Sequence, residues 1–265
     1  MKDRSPAFSF FTTVPFGLTA SEIDAWIYYG GGQALWDELS ASFNLKPFLA
    51  SNTGVQMGGW YNKEIASLED FKGLRIRIPG LGGEMMRRLG AIPVNLPGSE
   101  IVPALKSGAL DAAEFVGPTQ DVGLNLHTAA RYYYYPGIHE PGTTTALVTN
   151  KKLWDGLNPE EQWTIRNAAA GANTDTAARL RVSHIENLAL LLDQHGVQLR
   201  KFGDDILRAM GKASGEVVAE IAASDPFARR VYESFIAFRK ASRRWANISE
   251  GAYLNARELD FPYGE

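Results

Sequence analysis

The sequence predicts an α/β protein with largely parallel sheets. Three observations carry this. From Lys46 onward, short apolar runs alternate with helical patterns, the signature of strand–helix–strand units. Proline–glycine pairs at Pro79-Gly80, Pro97-Gly98, Pro136-Gly137 and Pro141-Gly142 follow apolar runs or sit in connections, where turns need them. The last third reads as long helices.

Ser21–Leu39 (SEIDAWIYYGGGQALWDEL) reads as a helix capped by Ser21 and interrupted by Gly30, Gly31 and Gly32. Each internal glycine costs about 1 kcal/mol against alanine, so three together mark a break or a close backbone approach. Strands are expected at KPFLA, LRIRI, IPVNL, AAEFV, YYYY, TTALVT and VQLRKF. Between them, short helices are expected at Leu68–Lys72, Gly82–Leu89, Ser99–Ser107 and Thr119–Ala130. Asn158 followed by Pro-Glu-Glu-Gln marks a helix start, with acids near the positive end of the dipole. Apolar spacing then runs from Trp163 to about His195, ending at Gly196. A second long helix starts near Asp204. A third spans about Pro226 to Arg257, with Phe227, Val231, Phe235 and Phe238 at the spacing of a packed face. The tail from Glu258 reads as frayed.

Bulk properties narrow the function. Apolar content of 45% and charged content of 22% fit an ordinary globular protein. A net charge of −3 argues against nucleic acid or an anionic membrane as main partner, and the basic run Arg239 to Arg244 reads as a solvated helix face. The absence of cysteine excludes disulfides, thiolate metal sites and cysteine catalysis. No stretch approaches the ~18 consecutive apolar residues of a membrane span. The opening MKDRSPAFSFF has no apolar signal-peptide core.

The residues with chemistry to offer begin in GLRIRIPG. Leu74, Ile76 and Ile78 take one strand face, which puts Arg75 and Arg77 together on the other. Arg77, at the strand's end, fits a carboxylate with two parallel hydrogen bonds. An ion pair with Glu84 or Glu100 is the competing expectation, and Arg75 is expected at a solvated edge. Glu114 interrupts AAEFVG, and Glu140 lies in YYYYPGIHEPG. A carboxylate in such surroundings is paired, protonated or metal-bound. Gln56, in NTGVQMGGW, is a third oxygen donor. Together the three would suit Na⁺ or Ca²⁺, whereas zinc prefers nitrogen or sulfur. His139 reads either as a base or as a hydrogen-bonded structural residue. Trp60 and Tyr61 are expected to pack, and Tyr132 to Tyr135 to divide between two faces. The glycine runs at 30–32 and 80–84 match no nucleotide-binding loop, and no hydrolase, zinc-protease or EF-hand motif is present.

In order along the chain, SNTGVQMGGW, EDFKGLRIRIPGLGGEMMRRLGAIPVNLPGSEIVPALKSGALDAAEFVGPTQD and YYYYPGIHEPG resemble a known family. It is the substrate-binding component of TRAP (tripartite ATP-independent periplasmic) transporters, in the branch that binds 2-oxo acids and 2-hydroxy acids such as lactate. The resemblance runs from PAFSFFTTVPFGL to LNAREL. It implies a two-lobed periplasmic-binding-protein-like fold with long C-terminal helices and a hinged cleft. Residues 1–54 and 142–190 would form one lobe, and residues 55–141 and 191–257 the other. It also implies periplasmic location, TRAP membrane permease subunits as partners, a small monocarboxylate such as pyruvate as ligand, no catalysis, and a possible homodimer through the C-terminal helix.

For the site, the resemblance implies that Arg77 binds the substrate carboxylate. A cation, Na⁺ or Ca²⁺, would bridge the substrate's carboxylate and its adjacent oxygen. Its ligands would be Gln56, Glu114, the backbone carbonyl of Phe115 and Glu140. Relatives carry tryptophan where Phe115 stands, a change that keeps the backbone ligand and alters the pocket. Family members also carry an export signal and a βαβ-rich stretch ahead of PAFSFF, so the chain is expected to lack the first part of its first lobe. The competing function is a metal-assisted enzyme acting on a 2-oxo acid.

Overall fold

The computed structural model describes residues 5–263. The expected first helix is two helices, α1 (Ala20–Tyr28) and α2 (Gly32–Ala41). The cap is Thr19 rather than Ser21: its N–H donates to the Glu22 carboxylate at 2.8 Å, in a capping box. The break falls at the glycines because Gly31 is left-handed, at φ +89°, and a Cβ on Gly30 would lie 2.8 Å from Trp26 Cα.

Strand β1 (Leu45–Asn52) follows, then β2 (Gly59–Tyr61), a strand that the sequence pattern does not announce. Next come β3 (Arg75–Arg77), α3 (Gly80–Arg88), β4 (Ile92–Val94), α4 (Gly98–Lys106) and β5 (Ala112–Ala113). Helix α5 (Pro118–Gly123) is shorter than expected, because Asn125 at φ 59° turns the chain into a separate 3-10 segment, Leu126–Thr128. After β6 (Tyr132–Tyr135) and β7 (Thr144–Asn150) come α6 (Lys151–Gly156) and α7 (Pro159–Asp193). The start of α7 is the one its sequence predicts: the Asn158 side chain accepts from Glu161 N–H at 3.0 Å, and the Glu161 carboxylate accepts from Asn158 N–H at 2.9 Å. Strand β8 (Gln198–Lys201), α8 (Asp204–Ser224), α9 (Pro226–Ile248) and α10 (Glu250–Ala256) complete the chain, so the predicted third long helix is divided at Ser249.

Two sheets result. β1 and β7 pair antiparallel, and six strands form a second sheet in the order β4-β3-β5-β2-β6-β8. β3 is parallel to β4 and β5, and β6 to β8, but β2 runs antiparallel to both its neighbours. The two-stranded sheet is therefore antiparallel, and the six-stranded one is mixed rather than largely parallel as expected. The cause is β2, three residues long and opening on Gly59 at φ +105°, too short and too irregular to show a strand period.

Strand alternation sorts the aromatic residues onto two cores. Trp60 and Tyr133 stack at 4.1 Å on one face, with Ile101, Leu105 and Leu191. Tyr61 and Tyr134 meet edge-on at 5.0 Å on the other, with Ile76, Met85, Phe202 and Ile206. A third core joins Phe10, Phe11, Trp26 and Trp36 to α9 through Val231 and Phe235, both fully buried. The packed spacing of α9 is thus core, as its pattern predicts. That core joins α9 to the N-terminal segment.

Candidate functional site

Arg75 and Arg77 do share a strand face, and their environments differ. Arg75 is half-exposed and closed by Asp111, with Nε to Oδ2 at 2.9 Å and Nη2 to Oδ1 at 2.7 Å. It is thus solvated, as expected, and paired with an acid of its own chain as well. Arg77 has a side chain only 11% exposed. Its Nε donates to the Leu96 carbonyl at 3.2 Å and its Nη1 to the Glu114 carbonyl at 2.6 Å. The Glu114 carboxylate lies 3.4 Å from Nη1, and the guanidinium sits over the Phe115 ring at 5.3 Å. Neither Glu84 nor Glu100 pairs with it; Glu84 takes Arg87. Nη2 makes no hydrogen bond among the described residues, so the fork keeps one open end.

Backbone hydrogen bonds draw the other expected residues to this point. The β3–β5 register sets Arg77 opposite Ala113, and Glu114 N–H donates to the Arg77 carbonyl at 2.8 Å. Met57 N–H reaches the Val116 carbonyl at 3.0 Å, and Gln56 N–H reaches the Glu140 carbonyl at 3.2 Å. Gly137 N–H donates to the Gln56 carbonyl at 2.9 Å. Gln56, Arg77, Glu114, Phe115 and Glu140, from four separate stretches, are thereby brought into one neighbourhood. Gly137 permits the closest approach, since a Cβ there would lie 2.1 Å from the Gln56 carbonyl oxygen. Gly137→Ala is expected to cost roughly 1–3 kcal/mol by overpacking, seen as a lower melting temperature. Because the strain falls on Gln56 itself, ligand titration should show weaker binding at temperatures where the variant is still folded.

Burial controls the electrostatics. Glu114 is wholly buried, which pushes its carboxyl well above the usual range; Arg77 pulls it down and Asp121 pushes it up. Glu140 is raised by burial and then by the Glu114 charge, while Thr143 Oγ1 donates to its Oε2 at 2.6 Å. Burial holds the His139 imidazole down at about 4.

Asp121, which the sequence reading does not single out, lies behind the site. It accepts from Tyr133 O–H at 2.6 Å, Trp60 Nε1 at 2.9 Å and Val116 N–H at 3.4 Å, and burial raises it to about 6. An acid in a helix's first turn, three residues after the Pro118 that opens it, is the signal that could have marked it.

Several oxygens here lack donors. Gln56 Oε1 and Glu114 Oε1 are buried without a hydrogen-bond partner, and the Phe115 carbonyl accepts none among the described residues. Buried acceptors left uncovered fit a hard cation. Among the described residues no three His, Asp or Glu side chains form a metal cluster. A cation here would therefore rest on two carboxylates with amide and carbonyl oxygens, a donor set suited to Na⁺ or Ca²⁺. Next to an open guanidinium, such a group can hold an organic anion and a metal ion together.

The same arrangement of chain occurs in known proteins. The sequence is 44% identical over 252 residues to a monocarboxylate 2-oxoacid-binding periplasmic protein of Nostoc sp., covering 95% of this chain and 69% of that one. A TRAP periplasmic solute-binding protein from Colwellia psychrerythraea, solved with calcium and pyruvate, superposes with a TM-score of 0.92 at 40% identity, over 96% of this chain and 78% of that one. One from Pseudoalteromonas atlantica, solved with sodium and pyruvate, gives 0.91 at 38% identity, over 98% and 78%. Residues 1–225, which carry both sheets and the whole Arg77 neighbourhood, match the DctP family model for bacterial extracellular solute-binding proteins, family 7. With sequence and fold in agreement over that span, the chain belongs to this family of TRAP solute-binding proteins.

Proposed function

We propose that this chain captures a 2-oxo monocarboxylate of about pyruvate's size, together with Na⁺ or Ca²⁺, in the periplasm and delivers it to TRAP permease subunits. The observation that carries this reading is the open end of Arg77 beside the uncovered oxygens of Gln56, Glu114 and Phe115. Arg77 takes the carboxylate. Gln56, Glu114, the Phe115 carbonyl and Glu140 hold the cation, which when bound offers positive charge to the acid's carboxylate and adjacent oxygen. The pyruvate found with calcium or sodium in the two solved relatives supports the pairing.

Charge favours the divalent ion. Glu114, Glu140 and the acid bring three negative charges, and Arg77 one positive. Calcium leaves the group neutral and sodium leaves it negative, which a desolvated site resists. An enzymatic role is the less favoured reading, since an imidazole held at about 4 is a weak base. The acid is expected to leave unchanged. A homodimer through the C-terminal helices also belongs to this reading: Trp245, Ile248 and Tyr253 are 64%, 74% and 67% exposed.

The test is thermal denaturation of chelated protein with pyruvate, with Ca²⁺ or Na⁺, and with both. A ligand at a hundred times its dissociation constant stabilises by about 2.7 kcal/mol, or roughly 5–11 °C at this chain length. Acid and cation together should raise the melting temperature most, and pyruvate should be recovered intact. No shift with any combination, or turnover of pyruvate, would overturn the proposal.

A further inference from the structure

His139 lies in the connection between β6 and β7, 3% exposed, and neither ring nitrogen makes a hydrogen bond among the described residues. The buried Nε2 loses its solvation without a hydrogen bond in return, so its position calls for a partner. One stands within reach. His139 Nε2 is 3.1 Å from Glu114 Oε1, a hydrogen-bond distance without the hydrogen-bond angle, and both atoms are buried and unpartnered. The other carboxylate oxygen, Oε2, faces Arg77 Nη1 at 3.4 Å. Glu114 therefore sits between two nitrogen groups, each on its own oxygen, and neither contact is tight.

A Cβ on Gly82 of α3 would lie 3.1 Å from His139 Cβ, so the glycine is what lets the helix pack close to the root of this residue. A small turn of the ring or of the carboxylate is enough to align Nε2–H with Oε1. What His139 offers Glu114 is a directional N–H.

We propose that His139, in its Nε2–H tautomer, is a positioning residue that fixes the Oε1 side of Glu114 while Arg77 fixes the Oε2 side, so that the remaining carboxylate lone pairs point at the cation. This rests on the reading of Glu114 as a cation ligand. A positioning group of this kind affects Ca²⁺ and Na⁺ alike, because it alters the order of the ligand rather than the number of charges the ligand carries.

The experiment compares wild type, His139→Gln and His139→Leu by calorimetric titration with Ca²⁺, and separately with Na⁺, at saturating pyruvate, alongside nitrogen-15 NMR of the wild-type imidazole. Glutamine can supply an N–H near the same place; leucine cannot. The expected result is about a tenfold or greater loss of affinity for both ions in His139→Leu, substantial recovery in His139→Gln, and a wild-type ring protonated at Nε2 when the cation is bound. A folded His139→Leu that binds like wild type overturns the inference. So does a bound wild-type ring protonated only at Nδ1, a readout that stands even where His139→Leu does not fold. Wild-type protein that binds neither ion nor acid overturns the function proposed above and this inference with it, whereas normal wild-type binding with an unaffected leucine variant removes the inference alone.

Discussion

Arg77→Ala is expected to lower pyruvate affinity by roughly 30- to 5,000-fold, which corresponds to the ~2–5 kcal/mol lost when one partner of a buried charge pair is truncated. The guanidinium does two things at once. Its Nε and Nη1 hold the carbonyls of Leu96 and Glu114, and its Nη2, without a hydrogen bond among the described residues, takes the ligand in the function proposed above. Alanine removes the ligand's counter-charge, uncovers both carbonyls and takes away the charge that pulls the Glu114 carboxyl down. The loss should therefore appear in ligand titration and also as a lower melting temperature of the ligand-free protein. Lysine is no substitute: one ammonium keeps the charge but cannot span two carbonyls and a carboxylate in the plane that Arg77 uses. Arg77→Lys is expected to recover only part of the binding. Wild-type affinity in either variant would show that the acid binds elsewhere.

Glu114→Gln should separate the two ions. Glutamine matches glutamate in shape and keeps a carbonyl oxygen, so the pocket is preserved while one negative charge is removed. With Arg77, Glu140 and the bound acid unchanged, the site then becomes neutral with Na⁺ and positive with Ca²⁺, the reverse of wild type. At an effective dielectric of about 20, a unit charge pair at 4 Å is worth about 4 kcal/mol, and a dication loses twice what a monocation does. After discounting for desolvation that no longer opposes ion entry, Ca²⁺ affinity is expected to fall on the order of 100- to 1,000-fold, and Na⁺ affinity about tenfold. Titrations of each ion at fixed pyruvate check this. Equal losses for both ions would mean that Glu114 acts through Arg77 or the fold rather than as a ligand. This pattern also differs from that of His139→Leu, whose effect should not depend on ion charge.

Much of the molecule is legible along the chain. The start of α7 follows from Asn158 and Glu161, whose side chains and N–H groups are three residues apart. The buried face of α9 follows from Val231 and Phe235, one turn apart. The shared face of Arg75 and Arg77 follows from the strand period. These are local matters, settled by spacing of a few residues. The break between α1 and α2 follows from three adjacent glycines: Gly31 is left-handed, and Trp26 and Phe238 crowd Gly30. Elsewhere local rules lost to packing. β2 became a strand because it fits between β5 and β6, and no period within three residues could announce it.

The amino-acid sequence by itself determined which groups this protein has to offer: an arginine at a strand's end, two acids in apolar stretches, an amide among glycines, and the family those stretches share. Tertiary structure alone decided which groups are already engaged. Arg75 found Asp111 and is closed, whereas Arg77 found two carbonyls and keeps one end open. That difference depends on register and on hydrogen bonds between stretches tens of residues apart, and on the burial that leaves Gln56, Glu114 and His139 with uncovered atoms. Burial takes such atoms out of contact with solvent, so the cost of an unmade bond arises only once the chain has closed around them.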